Sequence, residues 1–146
     1  MGNQAVQQVA LRVVLERAIA RKSDEYDRLA RQYANQLIAT KLDKTQVRGL
    51  ETLASTTDKV SDITDWLKLR VGRDSGRERW AKEGIGRNLL TDLEGLRRDA
   101  RDIVDKLGVD KDKDPDLERQ VHLRLCREFL KHLAAHFEYL KVEQER

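Results

Sequence analysis

The amino-acid sequence predicts an all-α fold, a bundle of five or six helices that forms a single domain over residues 1–146. The chain has one proline and eight glycines, and it is rich in the strong helix formers Leu, Ala, Arg, Glu, Lys and Gln. No segment alternates convincingly between apolar and polar residues with the period of two that marks a strand. Several stretches instead repeat apolar residues every three or four positions, which is the spacing of a buried helical face.

The N-terminal part of the chain contains the first two predicted helices. The first covers residues 5–21, where valines, alanines and an isoleucine form a broad apolar stripe. The second follows Ser23, and its apolar residues recur at helical spacing over residues 26–38. Ser23 or Asp24 fits the cap of this second helix. The pattern also allows one unbroken helix through Ser23.

The middle of the chain contains a helix start with a strong local signature. The apolar pattern breaks at residues 40–43, and Asp43 with Gln46 predicts a capping box, in which each side chain bonds to the backbone of the other. A turn at residues 55–58 separates this helix from the next. Residues 72–86 show the weakest periodicity, so we expect this segment to be irregular.

Two long helices near the C-terminus show the clearest periodicity. The first ends at Gly108, a helix stop. The second starts at Asp114-Pro115, with the aspartate as the cap and the proline in the first turn. Their apolar stripes fit the core of a bundle, but the sustained spacing also suits a partner helix from another subunit. The stripes consist of Leu89, Leu93, Leu96, Ala100, Ile103 and Leu107, and of Leu123, Cys126, Leu130, Leu133, Phe137 and Leu140.

Cysteine usage and hydropathy bound the location of the protein. The single cysteine, Cys126, excludes an internal disulfide and favours a reducing, cytoplasmic setting. Its apolar neighbours indicate a buried structural thiol. No run approaches the ~18 apolar residues of a membrane span, and the N-terminus lacks the features of a signal peptide. We therefore expect a soluble protein with no membrane partner.

Catalytic and metal chemistry find little support in the residue pattern. His132 and His136 lie one helical turn apart, but no third ligand stands at a telling spacing. His122 fits a surface or partly packed position. No set of nucleophile, base and orienting residue can be assembled. We expect no catalytic residue, no metal and no cofactor, and hence no enzyme.

The most distinctive stretch is the basic segment, residues 66–80. It contains five Lys or Arg residues, two glycines and both tryptophans of the chain. The formal net charge is only +3, so any affinity for nucleic acid must come from such local clustering of charge. Guanidinium groups placed between helices suit phosphate oxygens. The simpler alternative is a solvated loop that ends a helix.

Three short motifs follow one another in a recognisable order. They are Leu-Asp-Lys-Thr-Gln-Val-Arg at residues 42–48, Leu-Lys-Leu-Arg-Val through Ser-Gly-Arg at residues 67–77, and Leu-Arg-Leu-Cys-Arg-Glu-Phe-Leu with Leu-Ala-Ala-His at residues 123–136. In this order they resemble the small, all-helical subunit of type III-A CRISPR effector complexes, the Csm complexes. The chain departs from that family at Arg73-Asp74, where Tyr-Glu or Tyr-Ala is usual, at Ala135, which replaces a signature tyrosine, and in lacking a Gly-Gly tail. The small subunit of type III-B complexes, also basic and all-helical, stays an alternative.

The resemblance implies a non-catalytic subunit of an RNA-guided ribonucleoprotein that acts in antiviral defence. Small subunits of this family form a minor filament and contact the backbone of the target RNA beside the guide RNA. Cleavage of the target belongs to the backbone subunits. The implied partners are therefore guide RNA and target RNA, the backbone and large subunits, and further copies of the chain along the filament.

Candidate RNA contacts lie in the first two motifs and just after them. Lysine and arginine that meet only the RNA backbone give affinity without base choice. Lys44 would share a helix face with Arg48, and the later arginines would share another if the helix continued through Gly72. The candidates are Lys44, Arg48, Lys68, Arg70, Arg73, Arg77 and Arg79.

The two tryptophans and two competing functions complete the sequence-based expectations. Either ring could stack on a base, but Trp66 fits packing beside Ile63 and Leu67, whereas Trp80, flanked by charge, is more open to an interface role.

One competing function is a helical adaptor that binds only protein through an exposed leucine stripe. The other is a nucleic-acid-binding regulator that acts alone.

Overall fold

Helix dominates the computed structural model, which describes residues 2–146 of the chain. The all-α prediction is confirmed, and residues 2–146 contain no strand. The elements in chain order are α1 (Gly2–Ile38), α2 (Lys44–Thr56), α3 (Val60–Gly72), a single 3₁₀ turn (Lys82–Gly84), α4 (Ile85–Leu107) and α5 (Leu117–Gln144).

The N-terminal helix α1 runs without interruption for 37 residues. The division at Ser23 and the capping roles of Ser23 and Asp24 are therefore wrong, and the alternative of one unbroken helix is confirmed. Ser23 is buried, and its Oγ lies 2.8 Å from Nε2 of His132 on α5. One turn later, Asp27 Oδ1 lies 2.7 Å from Nε2 of His136. Because α5 offers partners for both side chains, α1 continues through a position that resembles a cap.

Helix α5 lies at the centre of the bundle and packs against α1, α2 and α4. Phe129 of α5 is fully buried. Its ring centroid lies 5.9 Å from that of Tyr26 and 6.1 Å from that of Tyr33, both on α1. Each tyrosine hydroxyl donates a hydrogen bond to a carboxylate of α4, Tyr26 to Asp99 at 2.6 Å and Tyr33 to Asp92. The three longest helices are thus joined by both ring packing and hydrogen bonds.

The apolar stripes of α4 and α5 belong to the core. Leu96 is 7% exposed and Leu130 is 1% exposed, while Leu107 and Leu140, at the helix ends, are partly buried against the same cluster. The stripes therefore leave no leucine face for a partner, so an adaptor would need another surface. Cys126 is fully buried, as predicted, and burial raises the pKa of its thiol to about 12.

Two of the predicted helix ends are confirmed. Asp43 accepts a hydrogen bond from the backbone N–H of Gln46 at 3.0 Å, and the Gln46 side chain accepts one from the Asp43 N–H at 3.0 Å. This capping box starts α2. Gly108 ends α4 with a φ of 67°, a left-handed conformation that glycine adopts without steric cost.

The start of α5 differs from the prediction by a short distance. The helix begins at Leu117, and Pro115 lies in the turn before it. Asp110 organises this turn, because its carbonyl accepts hydrogen bonds from the N–H groups of Lys113 and Asp114. The Asp114 carbonyl in turn accepts from the Leu117 N–H at 3.3 Å. Turn hydrogen bonds therefore delay the helix by two residues.

The N-terminal half of α1 exposes an apolar face. Val6 is 69% exposed, Val9 63% and Val13 41%, and their spacing places them on one side of the helix, away from the core.

Among the helices of residues 2–146, none combines the length and apolar character that crossing a bilayer requires.

Candidate nucleic-acid interface

The basic segment forms the end of α3 and the loop that leads to α4. Helix α3 ends at Gly72, and the N–H of Arg73 closes it by donating to the Leu69 carbonyl at 2.9 Å. The predicted helix face shared by Arg70, Arg73 and Arg77 is therefore wrong. Arg77 adopts a left-handed φ of 52°, which belongs to a turn and not to a helix.

Asp74 holds the loop in its folded shape. Its carboxylate accepts hydrogen bonds from three backbone N–H groups, those of Glu78 at 3.3 Å, Arg79 at 2.9 Å and Ala81 at 2.9 Å. Burial alone would raise the pKa of this carboxyl, but the three N–H groups outweigh burial and lower it. Asp74 thus stays ionised, and its charge faces the inside of the loop.

Glu78, the other carboxylate among residues 66–80, is also engaged. It forms an ion pair with Lys41 at 2.7 Å, and the Lys41 N–H donates to the Glu78 carbonyl at 2.9 Å. The hydrogen bond from Lys41 lowers the pKa of Glu78. With both acids engaged, no carboxylate in residues 2–146 forms an ion pair with the arginines at positions 70, 73, 77 and 79.

Trp66 packs against the core as predicted, whereas Trp80 does not take the role expected of it. Trp80 is only 2% exposed, so an exposed interface role for it is wrong. Its ring meets that of Trp66 edge to face, with centroids 5.7 Å apart at 83°. Trp66 is half-buried, and the guanidinium of Arg70 covers its face at 4.7 Å from the ring centroid. The flanking charges of Trp80 misled the prediction, because those arginines point outward from a loop that folds over the ring.

Three arginines converge on one cleft of about 220 Å³. Arg70 comes from the last turn of α3, and Arg73 and Arg79 come from opposite ends of the loop. Gln46, from the first turn of α2, and Trp80 also line the cleft. Nothing in the sequence pattern marks Gln46 beyond its capping role, yet the capping box places it at this position. The lining suits an oxyanion, because arginines from α3 and from the loop border a shared space.

The remaining predicted RNA contacts lie apart from this cleft. Arg48 forms an ion pair with Glu138 of α5, and the hydrogen bond from Arg48 lowers the pKa of Glu138. Residues two positions apart on a helix point in nearly opposite directions, so Lys44 and Arg48 lie across α2 from Gln46. Lys68 is exposed on α3 and lies across that helix from Arg70. The structure therefore joins Arg70, Arg73 and Arg79, and it separates them from these three cations. The seventh predicted contact, Arg77, is exposed in the same loop but does not line the cleft.

A second polar cluster has the connectivity of a hydrolase triad. Ser23 Oγ lies 2.8 Å from Nε2 of His132, and Nδ1 of the same ring lies 3.4 Å from Asp27 Oδ1. Ser23 is only 5% exposed, which leaves its hydroxyl no room for a substrate carbonyl. The cluster joins α1 to α5.

In residues 2–146, no three His, Cys, Asp or Glu side chains are grouped to hold a metal ion.

His122 is buried more deeply than the sequence indicated. It is 7% exposed, and its Nε2 lies 2.9 Å from the Leu93 carbonyl oxygen on α4. Burial lowers the pKa of the imidazole, so the neutral ring acts as a bridge between α5 and α4. The second turn of α5 is thereby fixed to the middle of α4.

Comparisons with known proteins give no relative. No family model matches the chain, and neither a curated protein nor a solved structure matches it.

Proposed function

We propose that this protein is a non-catalytic small subunit of a type III CRISPR effector complex, in which its arginine loop contacts the phosphate backbone of RNA. The arginine loop comprises residues 73–81 together with Arg70. The three motifs in their family order support the assembly, and the loop supports the RNA contact. Guide and target RNA, backbone and large subunits, and neighbouring copies of the chain are the partners that this role implies.

The observation that carries the proposal is the contrast between the acids and the arginines of the loop. Asp74 is engaged by backbone N–H groups and Glu78 by Lys41. Arg73, Arg77 and Arg79 are exposed, and no carboxylate within residues 2–146 pairs with them. A chain with a net charge of only +3 thus concentrates unneutralised charge at one place, which favours a polyanion as the ligand.

The loop favours contact with the backbone over reading of bases. Sequence is read by a helix or strand that enters a groove of duplex DNA, or by aromatic rings that stack on unpaired RNA bases. The arginine side chains leave an irregular loop, and both tryptophan rings are occupied, one by burial and one by Arg70. We therefore expect RNA affinity that depends steeply on salt and little on sequence.

The test is RNA affinity measured over a range of salt concentrations with the triple variant Arg73→Gln, Arg77→Gln, Arg79→Gln. If each arginine meets one phosphate, the slope of log K against log salt should fall in magnitude by about 2 for single-stranded RNA. The matched control replaces three exposed cations from other helices that also lack an ion pair, Arg28, Arg98 and Lys131. Its slope should stay close to that of the parent protein.

Assembly is tested separately from RNA affinity. The chain is produced together with the backbone subunits and guide RNA of a type III complex, and the expected result is a ribonucleoprotein that contains it. Equal RNA affinity of the triple variant and the parent protein at low salt would refute the contact. Failure to join the complex, with RNA binding intact, would favour the stand-alone regulator.

A protein-binding role is the second candidate, on a surface other than the leucine stripes. The exposed valines of α1, at positions 6, 9 and 13, form an apolar face away from the core. Contiguous exposed apolar patches mark interaction sites, whereas single exposed apolar residues are ordinary. Val9→Glu should leave the fold intact and weaken assembly without changing RNA affinity if this face meets a neighbouring subunit.

A further inference from the structure

We propose that the cleft between Arg70, Arg73 and Arg79 is a seat for a single phosphate group, with the indole N–H of Trp80 as a hydrogen-bond donor at its base. This inference rests on the proposed function and makes it more specific. A diffuse basic surface attracts a polyanion without ordering it, whereas a seat holds one phosphate at a fixed place on the loop.

Three parts of the fold meet at the cleft. Its volume is about 220 Å³, and it is lined by the end of α3, both ends of the loop and the first turn of α2. The Asp74 carboxylate also belongs to the lining, but three backbone N–H groups occupy it. The cleft thus presents guanidinium donors, and its one carboxylate is already satisfied.

One residue of the lining has an unsatisfied hydrogen-bond donor. Trp80 is buried and lines the cleft, and its Nε1 is the one enclosed side-chain nitrogen or oxygen in residues 2–146 that has no hydrogen-bond partner. A buried donor without an acceptor costs free energy, and nearly all such groups in folded proteins find a partner. A ligand that brings an acceptor to the base of the cleft removes this cost.

The donors of the cleft determine the chemistry of a ligand that fits it. An indole N–H and guanidinium groups are donors only, so the ligand must offer several acceptors and negative charge. A tetrahedral phosphate has oxygens that point in different directions and can meet donors from three elements at once. Arg73 and Arg79 are exposed, and exposed side chains change rotamer within nanoseconds, so the lining of the cleft can rearrange to admit an oxygen to the enclosed nitrogen.

Hydrogen bonds hold the loop in a defined shape. Asp74 fixes the backbone from Glu78 to Ala81, and the N–H of Gly86 donates to the Trp80 carbonyl at 2.7 Å. Both contacts hold the tryptophan beneath the arginines before any ligand arrives. A seat that is formed in advance loses less entropy on binding than a flexible basic loop.

The test uses the indole N–H resonances of the full chain labelled with nitrogen-15. The two tryptophans give two such signals, and Trp80→Phe assigns them. Titration with inorganic phosphate at constant ionic strength should shift the Trp80 signal saturably, and chloride should not. Arg73→Gln with Arg79→Gln should abolish the shift, and Trp80→Phe should weaken phosphate binding, followed through backbone amide signals of the loop, by about tenfold. A short oligoribonucleotide should move the same signal, which links free phosphate to phosphate within RNA.

The outcomes separate this inference from the proposed function. If neither phosphate nor RNA moves the Trp80 signal, the seat is refuted, even where the triple arginine variant still weakens RNA binding. If phosphate moves the signal but RNA binds elsewhere, the seat stands as an anion site and the proposed RNA contact fails. A Trp80→Phe variant that does not fold leaves the titration of the parent protein and of the arginine variant to decide.

Discussion

Gly86, at the start of α4, lies directly against the backbone of Trp80. Its N–H donates to the Trp80 carbonyl at 2.7 Å, and a Cβ at this position would lie 2.6 Å from that oxygen and 2.6 Å from Cγ2 of Val71. Real Cβ atoms do not approach so closely. The absence of a side chain at residue 86 therefore allows α4 to pack beneath the tryptophan that the arginine loop covers.

Replacement of Gly86 by alanine should destabilise the fold and displace Trp80. The added methyl clashes with the backbone of Trp80 on one side, so the loop or α4 must shift to remove the clash. We expect this to lower the free energy of unfolding by about 1–3 kcal/mol. Urea unfolding followed by tryptophan fluorescence measures both the stability and the environment of the ring.

Gly95→Ala is the matched control. Gly95 lies in the middle of the same helix with open space around it, so alanine there should stabilise by up to about 1 kcal/mol. Equal effects of the two substitutions would show that the close approach at Gly86 is unimportant.

Asp74→Asn should loosen the arginine loop while the five helices persist. The amide retains one oxygen acceptor but brings an NH₂ group toward three backbone donors, so at least one donor loses its partner, at a cost of about 1–3 kcal/mol. Hydrogen exchange at the N–H groups of Arg79 and Ala81 should accelerate. Unchanged exchange there would mean that the loop holds its shape without the carboxylate.

The same carboxylate gives the loop a dependence on pH. The pKa of Asp74 is lowered in the folded protein, and the unfolded value is about 3.9. The stabilisation it provides is thus fully present above about pH 4 and is lost as the pH falls through the folded pKa. Unfolding free energies of the parent protein and Asp74→Asn should differ at pH 6 and converge near pH 2. A difference that grows on acidification would contradict the assigned role.

Periodicity predicted the helices and their cores, because burial of one helical face is a local property of the sequence. It could not predict that α1 passes through Ser23, since the partner that satisfies this serine, His132, lies 109 residues away. Periodicity could not predict the shape of the arginine loop for the same reason. Exposure of Trp80 was inferred from charged neighbours, whereas its burial depends on Gly86 and on the hydrogen bonds of Asp74.

Arg127→Lys should destabilise the contact between α2 and α5. The guanidinium donates to the carbonyl oxygens of Ala54 at 2.7 Å and Thr57 at 2.6 Å, which satisfies the C-terminal end of α2. A lysine ammonium cannot reproduce this planar fork, so the expected loss is about 1–2 kcal/mol. Thermal unfolding of the variant measures it.

Arg124→Lys serves as the control for that substitution. Arg124, one turn earlier on α5, also makes a two-pronged contact, with Glu16 at 2.5 Å and 2.7 Å, but its partner is a side chain and the two side chains are 39% and 50% exposed. Exposed pairs contribute ~1 kcal/mol or less. A larger loss at Arg124 than at Arg127 would reverse the assignment of the structural arginine.

Leu130→Ala should cost about 2–5 kcal/mol, because the leucine is 1% exposed and its removal leaves a cavity in the centre of the bundle. Leu96→Ala should fall in the same range or just below it, since Leu96 is slightly more exposed. Leu69→Ala, at a 52% exposed position on α3, should change stability little. Denaturant unfolding of the three variants tests this order, and a parent-like midpoint for Leu130→Ala would place that stripe outside the core.

Glu138→Gln tests which cations are available to RNA. Arg48 pairs with Glu138, so its charge is neutralised in the free protein, and Arg48→Gln should reduce RNA affinity less than Arg73→Gln. Removal of the Glu138 charge frees Arg48 and eliminates a repulsive carboxylate, so Glu138→Gln should increase affinity modestly at low salt. The gain should vanish at high salt, because exposed charges are screened within about 8 Å at physiological ionic strength. RNA titrations of the single variants and of Glu138→Gln with Arg48→Gln provide the measurement. If Arg48→Gln weakened binding more than Arg73→Gln, RNA would meet the α2–α5 face, and the arginine loop would lose its role as the principal contact.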